Sequence, residues 1–135
     1  VGETPYAEFF GDIGGEMNAY QLTLTEAHRQ LINNYAQKGI KVIVILISGR
    51  PLVVTSELAQ SDAFVVAWLP GSEGDGIAEV LYGEHDFKGK LPHSWPKSED
   101  DYVGKYGPNF WDNAVQPLFP IGFGLKYGEN KQVNK

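Results

Sequence analysis

The chain has 135 residues, of which 42% are hydrophobic and 13% aromatic, and this is enough for one domain with a packed core. Its formal net charge of −6 argues against a general nucleic-acid or anionic-membrane binder, because phosphate groups are bound by clusters of Lys and Arg. The chain has no cysteine, which excludes a disulfide framework, a thiolate nucleophile and a cysteine-bound zinc.

The N-terminal residues are typical of the end of a strand. Val1 and Gly2 lead directly into turn-like residues, so we expect a fragment or a processed chain. Residues 3–22 show no regular period and are predicted to form a long surface loop, and loops of this length often carry functional groups. Three acidic residues in it would lie at the edge of a sheet if Val1 ends a strand: Glu3, Glu8 and Asp12.

A helix is predicted over residues 24–38. Thr23 to Glu26 fit a capping box, with Thr23 as the N-cap and Glu26 at position N3. Gly39 is placed to end the helix in a left-handed conformation. The apolar residues recur at helical spacing and form one stripe: Leu24, Ala27, Leu31 and Tyr35.

Strands and helices alternate in the following residues. Lys41–Ser48 is continuously apolar and β-branched, which is typical of a parallel strand covered on both faces, and Asp62–Trp68 predicts a second buried strand. Short helices are predicted within Leu52–Gln60 and at Gly76–Tyr82, and Gly83 can end the latter. This alternation predicts an α/β fold, with a mostly parallel sheet flanked by helices.

The residues after Gly83 differ in composition from the alternating strands and helices that precede them. They are rich in Pro, Gly and aromatic residues, and predict extended or turning chain with one short strand at Lys90–Trp95. Residues 128–135 are predicted to be a polar tail or linker. We therefore predict one partial α/β domain over residues 1–127.

Two turns follow the predicted strands: "SGRP" at 48–51 and "LPGSEGDG" at 69–76. Ligands of open parallel sheets bind beyond the carboxyl ends of the strands, so both turns are candidate sites. Glycines flank Glu73, which allows close approach of another molecule and makes its carboxyl a candidate general acid or base. An ordinary polar residue in a βα turn is the competing interpretation, because an acid near a helix N-terminus is favourable anyway.

Other side chains offer weaker signals. For Arg50 we favour a structural ion pair or a cap on nearby carbonyls over a ligand contact. Trp95 and Trp111 lie in irregular segments and are candidates for aromatic contact with a ligand. The three histidines lack the spacing of a metal site, so no metal is predicted.

Four blocks in a fixed order resemble glycoside hydrolase family 3, and within it the β-glucosidases and exo-acting β-glucan glucohydrolases. The blocks cover nearly the whole chain: "VGETPYAE" (1–8), "VIVILISGRPLVV" (42–54), "DAFVVAWLPGSEGDGIAEVLYGEHDFKGKLPHSWPKS" (62–98) and "PLFPIGFGLKY" (117–127). The resemblance implies the second domain of such an enzyme, an (αβ)6 sandwich, here without its N-terminal units.

The resemblance also implies a catalytic role for one residue. Family members place the general acid/base glutamate in the "PG-x-E-G" loop, which corresponds to Glu73. The aspartate nucleophile lies on a barrel-like first domain, which is the expected partner, so these 135 residues alone should be inactive. Retaining glycosidases need two carboxyl groups roughly 5–5.5 Å apart.

The expected substrate is a β-glucan or a cello- or laminari-oligosaccharide, and no cofactor is implied, since two carboxyl groups suffice. The expected location is the periplasm or the medium, with neither nucleic acid nor membrane as a partner. Two alternatives remain open: a β-xylosidase or arabinosidase of the same family, and a non-catalytic carbohydrate-binding module on this fold.

Overall fold

The computed structural model describes residues 1–3, 22–103 and 117–129. Contacts within the chain divide it into two compact units, Val1–Leu69 and Pro70–Lys135. Three of the predicted site residues lie outside the described residues: Glu8, Asp12 and Trp111.

The first unit is built on two parallel strands, β1 (Ile43–Ile47) and β2 (Ala63–Trp68). This pairing confirms the predicted α/β class with a parallel sheet, although both strands are shorter than predicted. The predicted cover on both faces of β1 is wrong for the described residues. Val44 is buried whereas Ile43 is 61% exposed, because alternate side chains of a strand point to opposite faces.

The N-terminal residues pair with β1. The Ile47 N–H donates to the Val1 carbonyl at 3.0 Å, and the Glu3 N–H donates to the Ile47 carbonyl at 3.0 Å. Gly2 forms a parallel bridge with Ile47, and a Cβ atom at Gly2 would lie 2.8 Å from the Ile47 oxygen. This pairing confirms the expected strand-like start of the chain and places Glu3 at the carboxyl end of β1.

Helix α1 spans Glu26–Gln37, within the predicted bounds. Its N-cap is Thr25, whose Oγ1 accepts a hydrogen bond from the His28 N–H at 3.4 Å, so the predicted capping box is wrong by two residues. Thr23 forms a parallel bridge with Val53 instead. Gly39 has a φ of 69° and follows the helix in the left-handed conformation, as predicted.

Helix α2 (Thr55–Gln60) packs against α1. An ion pair joins the helices, with Arg29 Nε 3.0 Å from Oε1 of the buried Glu57. The buried apolar side chains of this unit come from α1, from β1 and from the chain that precedes each helix: Leu22, Leu24, Ile32, Val44, Leu46, Leu52 and Val54. This core covers the sheet on one face.

The second unit contains helices α3 (Gly74–Leu81) and α4 (Asp100–Val103). Two loop segments of this unit, residues 91–95 and 118–123, are joined by backbone hydrogen bonds. The Trp95 N–H donates to the Phe119 carbonyl at 2.7 Å, and the Leu91 N–H donates to the Phe123 carbonyl at 2.8 Å. The pairing amounts to one antiparallel bridge, so the regular strand predicted at Lys90–Trp95 is wrong.

No helix among the described residues is both long and apolar enough to cross a membrane.

Candidate functional site

Glu3 lies in a charged cluster at the carboxyl end of β1. Its Oε1 lies 2.7 Å from Arg50 Nε, and its Oε2 accepts a hydrogen bond from Ser48 Oγ at 2.9 Å. The Arg50 and Glu3 side chains are only 14% and 10% exposed. Ser48 Oγ also lies 2.7 Å from the Arg50 carbonyl oxygen and accepts from the Arg50 N–H at 3.2 Å.

This cluster stabilises the junction between the N-terminal residues and the turn after β1. Both Glu3 carboxylate oxygens are engaged, one by a guanidinium and one by a hydroxyl, and these charge-assisted contacts hold the side chain in place. The favoured interpretation of Arg50 as a structural ion pair is confirmed. The sequence identified the turn at 48–51 as a candidate site without singling out Ser48, although a hydroxyl at the end of a continuous apolar run is a usable signal of such a junction.

Glu73 lies in a different setting, at the N-cap position of α3. Its N–H donates to the Pro70 carbonyl at 3.0 Å, which closes a tight turn, and Gly71 supplies the positive φ of 60° that the turn requires. Gly71 therefore shapes the turn that carries Glu73.

The Glu73 side chain is exposed. It makes no capping hydrogen bond to the helix, and its Oε1 accepts from the neighbouring Ser72 Oγ at 3.0 Å. In the described residues no cation is placed against it. A carboxyl held on a fixed turn, reachable from outside and not bound to a guanidinium, can both give and take a proton.

The predicted ligand contact of Trp95 finds no support in the geometry. Trp95 is 1% exposed and lies in the interior of the second unit, so its ring offers no face to a sugar in the described structure. Its contact with a ligand stays a prediction, as does that of Trp111.

A second charged pair lies at the amino ends of β1 and β2. Lys41 Nζ is 2.6 Å from Asp62 Oδ1, and Asp62 Oδ2 accepts from the Val42 N–H at 2.9 Å. The hydrogen bond from Lys41 lowers the pKa of Asp62, and the same bond raises the pKa of Lys41. In the part of the chain that the structure describes, no group of three His, Asp or Glu could hold a metal ion.

Residues 1–127 match the family model of the "Glycosyl hydrolase family 3 C-terminal domain". The chain is 33% identical over 124 residues to a periplasmic beta-glucosidase of Salmonella typhimurium, covering 78% of this chain and 16% of the relative. It is 36% identical over 130 residues to a lysosomal beta glucosidase of Dictyostelium discoideum, covering 94% of this chain and 15% of the relative.

A solved structure agrees with these sequence relatives. The crystal structure of the exo-1,3/1,4-beta-glucanase of a Pseudoalteromonas species superimposes with a TM-score of 0.79 at 43% identity, over 96% of this chain and 16% of that chain. The chain therefore belongs to glycosyl hydrolase family 3 and is a C-terminal domain of that family. It spans about one-sixth of the length of these relatives, 16% and 15% in the two sequence matches.

Proposed function

We propose that this domain supplies the general acid/base of a retaining β-glucosidase or exo-1,3/1,4-β-glucanase, and that Glu73 is that residue. The observation that carries the proposal is the setting of Glu73 within the family match. Its carboxyl is exposed, lies on a glycine-shaped turn and has only the Ser72 hydroxyl as a described partner. The other described acid at a strand end, Glu3, is held by Arg50 and Ser48.

The reaction would proceed in two steps. First, a carboxylate on a separate barrel domain attacks the anomeric carbon of the terminal glucosyl residue, and the Glu73 carboxylic acid protonates the departing glycosidic oxygen as the bond breaks. Then the Glu73 carboxylate takes a proton from water, and the water oxygen displaces the carboxylate from the same carbon. The β configuration is retained, because the carbon is inverted twice.

The proposal places this chain in a larger enzyme. The nucleophile would come from the barrel domain, and these 135 residues without it would not turn over substrate. The substrate class would be β-glucans and cello- or laminari-oligosaccharides, which is consistent with the beta-glucosidase and exo-glucanase relatives. The relative named periplasmic supports a location in the periplasm or the medium.

The test is a leaving-group series on the full-length enzyme that carries this domain. In Glu73→Gln, kcat/KM on phenyl β-glucoside should fall about 10²–10⁴-fold, because that leaving group needs a proton. On 2,4-dinitrophenyl β-glucoside, whose leaving group departs without one, the loss in kcat/KM should be far smaller.

Glu79→Gln is the matched control, because Glu79 is an exposed glutamate on the same helix. It should change either rate by no more than about twofold. Equal losses on both aryl substrates in Glu73→Gln would contradict the acid/base role. Sugar binding by the full-length protein with no turnover of β-glucosides or β-xylosides would favour a non-catalytic carbohydrate-binding module.

A further inference from the structure

The C-terminal end of α3 is held by a residue far along the chain. The Tyr127 hydroxyl donates to the Val80 carbonyl and lies 3.2 Å from the Leu81 carbonyl oxygen, across a separation of 46 residues in the latter pair. Both carbonyls belong to the last turn of α3, where carbonyls have no N–H partner within the helix. The Val80 carbonyl also accepts from the Gly83 N–H at 3.1 Å, so the hydroxyl adds a second hydrogen bond at Val80 and lies close to the Leu81 carbonyl oxygen.

Tyr127 is itself fixed by two neighbours. Asp86 Oδ1 accepts from the Tyr127 N–H at 2.9 Å and from the Phe87 N–H at 2.8 Å. The rings of Phe87 and Tyr127 lie 5.3 Å apart between centroids, at an interplanar angle of 49°. Tyr127, Asp86 and Phe87 form what we call the Tyr127 clamp, in which the backbone, the ring and the hydroxyl of one residue are all engaged.

Helix α3 packs through apolar side chains that are only half-buried: Ile77, Ala78, Val80 and Leu81. It has eight residues, begins with Gly74 and includes Gly76, and none of its side chains is buried in this chain. Helices this short are marginal in water, and each interior glycine costs about 1 kcal/mol relative to alanine. Contacts at the helix end therefore matter more here than in a helix with a buried apolar stripe.

Glu73 is the N-cap of this same helix. Eight residues at about 1.5 Å each make α3 roughly 12 Å long, so a small tilt at the C-terminal end moves the Glu73 carboxyl. Proton transfer depends on that position, since a displacement of about 1 Å can cost about 10²-fold in rate.

From this geometry we infer that Tyr127 is a positioning residue, which acts through α3 to hold the Glu73 carboxyl in line with the glycosidic oxygen. The inference rests on the proposed function of Glu73. The hydroxyl would affect proton transfer indirectly, through the position of the Glu73 carboxyl. Kinetics can separate this effect from a contribution to folding.

The test variant is Tyr127→Phe in the full-length enzyme, which removes the hydroxyl and keeps the ring against Phe87. Losing one hydrogen bond to the helix end should lower kcat/KM on phenyl β-glucoside about tenfold. KM for this substrate should change little, and kcat/KM on 2,4-dinitrophenyl β-glucoside should stay near that of the wild type. A purely structural hydroxyl would lower the melting temperature and leave the ratio of the two rates unchanged, which would overturn the inference.

Tyr82→Phe is the matched control. Tyr82 is the C-cap of α3 and its side chain is 86% exposed, so the same chemical change is made at the same helix end. It should leave the rate ratio unaltered. A shift in the ratio as large as that of Tyr127→Phe would contradict a specific role for the clamp.

Two further variants keep the test decisive. Asp86→Ala frees the Tyr127 N–H and should shift the rate ratio in the same direction, which covers the case of an unstable Tyr127→Phe enzyme. In the Glu73→Gln background, Tyr127→Phe should have no further effect on the ratio. If Glu73→Gln changes the ratio of the two kcat/KM values as expected and neither Tyr127→Phe nor Asp86→Ala does, the inference about Tyr127 is wrong and the proposed function stands. If Glu73→Gln does not change this ratio, the proposed function is wrong, and the inference fails with it.

Discussion

Glu3 and Glu73 are two glutamates that follow strand-like chain, and they differ in what surrounds the carboxylate. Glu3 is 10% exposed and is held by Arg50 Nε at 2.7 Å and by Ser48 Oγ at 2.9 Å. Glu73 is exposed and contacts the hydroxyl of Ser72. A carboxylate fixed by a guanidinium stabilises the fold, whereas a proton donor must remain able to exchange its proton. The Glu3 carboxylate therefore stabilises the fold, whereas the Glu73 carboxyl is free to contact a substrate.

The largest expected effect separates these two glutamates by activity. In the full-length enzyme, Glu73→Gln should reduce kcat/KM on phenyl β-glucoside by about 10²–10⁴-fold while leaving the melting temperature nearly unchanged. Glu3→Gln should do the reverse, lowering the melting temperature while the correctly folded fraction keeps its leaving-group dependence. Steady-state kinetics and thermal unfolding on both proteins measure the contrast. The contrast would be contradicted if Glu3→Gln changed the ratio of kcat/KM on the two aryl β-glucosides and Glu73→Gln did not.

The second prediction concerns the partner of Glu3. Arg50→Met leaves the Glu3 carboxylate without its cation in a site that is nearly closed to water. Breaking a buried pair in this way typically costs about 3–5 kcal/mol, so the free energy of unfolding should fall by an amount in this range. Urea unfolding of the full-length enzyme measures it. The double variant Arg50→Met with Glu3→Leu should recover much of the loss, and no recovery would contradict the ion-pair account.

Two glycines near Glu73 predict effects of opposite sign. Gly71 has a φ of 60°, so Gly71→Ala should lower the free energy of unfolding by about 1–2 kcal/mol through backbone strain. Gly76 lies inside α3, and apart from its chain neighbours and the backbone of the helix no described atom lies within 4 Å of an added Cβ. Gly76→Ala should therefore raise the free energy of unfolding by about 1 kcal/mol. Unfolding curves of the two variants supply the comparison, and equal signs would contradict the assigned loop geometry.

The smallest effect is expected at the exposed pair of Lys41 and Asp62. The pKa of Asp62 is lowered, so its contribution to stability is present above about pH 4 and is lost as the pH falls through that lowered pKa. The pKa of Lys41 is raised, so its contribution is present below about pH 10.4 and is lost as the pH rises through that raised pKa. Asp62→Asn should therefore be slightly less stable than the wild type between these limits and should converge with it in acid. A difference that persists at a pH low enough to protonate the Asp62 carboxylate would point to another cause.

Much of the fold follows from local patterns. The apolar runs at 42–47 and 63–68 predicted the two strands. Gly39 and Gly83 were correctly placed after helices, and the predicted left-handed conformation of Gly39 is confirmed. These features depend on neighbouring residues, which a sequence displays directly.

Other features depend on residues distant in the chain, and the sequence could not reveal them. Thr23 fits an N-cap by its local pattern, yet its backbone pairs with Val53, so the helix begins two residues later at Thr25. The hydrogen bonds of Tyr127 to the end of α3 span 46 and 47 residues. Glu73 itself was identified as a candidate by its glycines, and its role was assigned by family resemblance, because the spacing alone left an ordinary turn open.

The central claim is that Glu73 is the acid/base, and azide rescue of Glu73→Ala tests it most directly. With the full-length variant and 2,4-dinitrophenyl β-glucoside, azide should accelerate turnover and give β-glucosyl azide, because the small anion attacks the glycosyl-enzyme without needing a base. The α-glucosyl azide would assign Glu73 as the nucleophile instead. The absence of both acceleration and azide product would contradict the account.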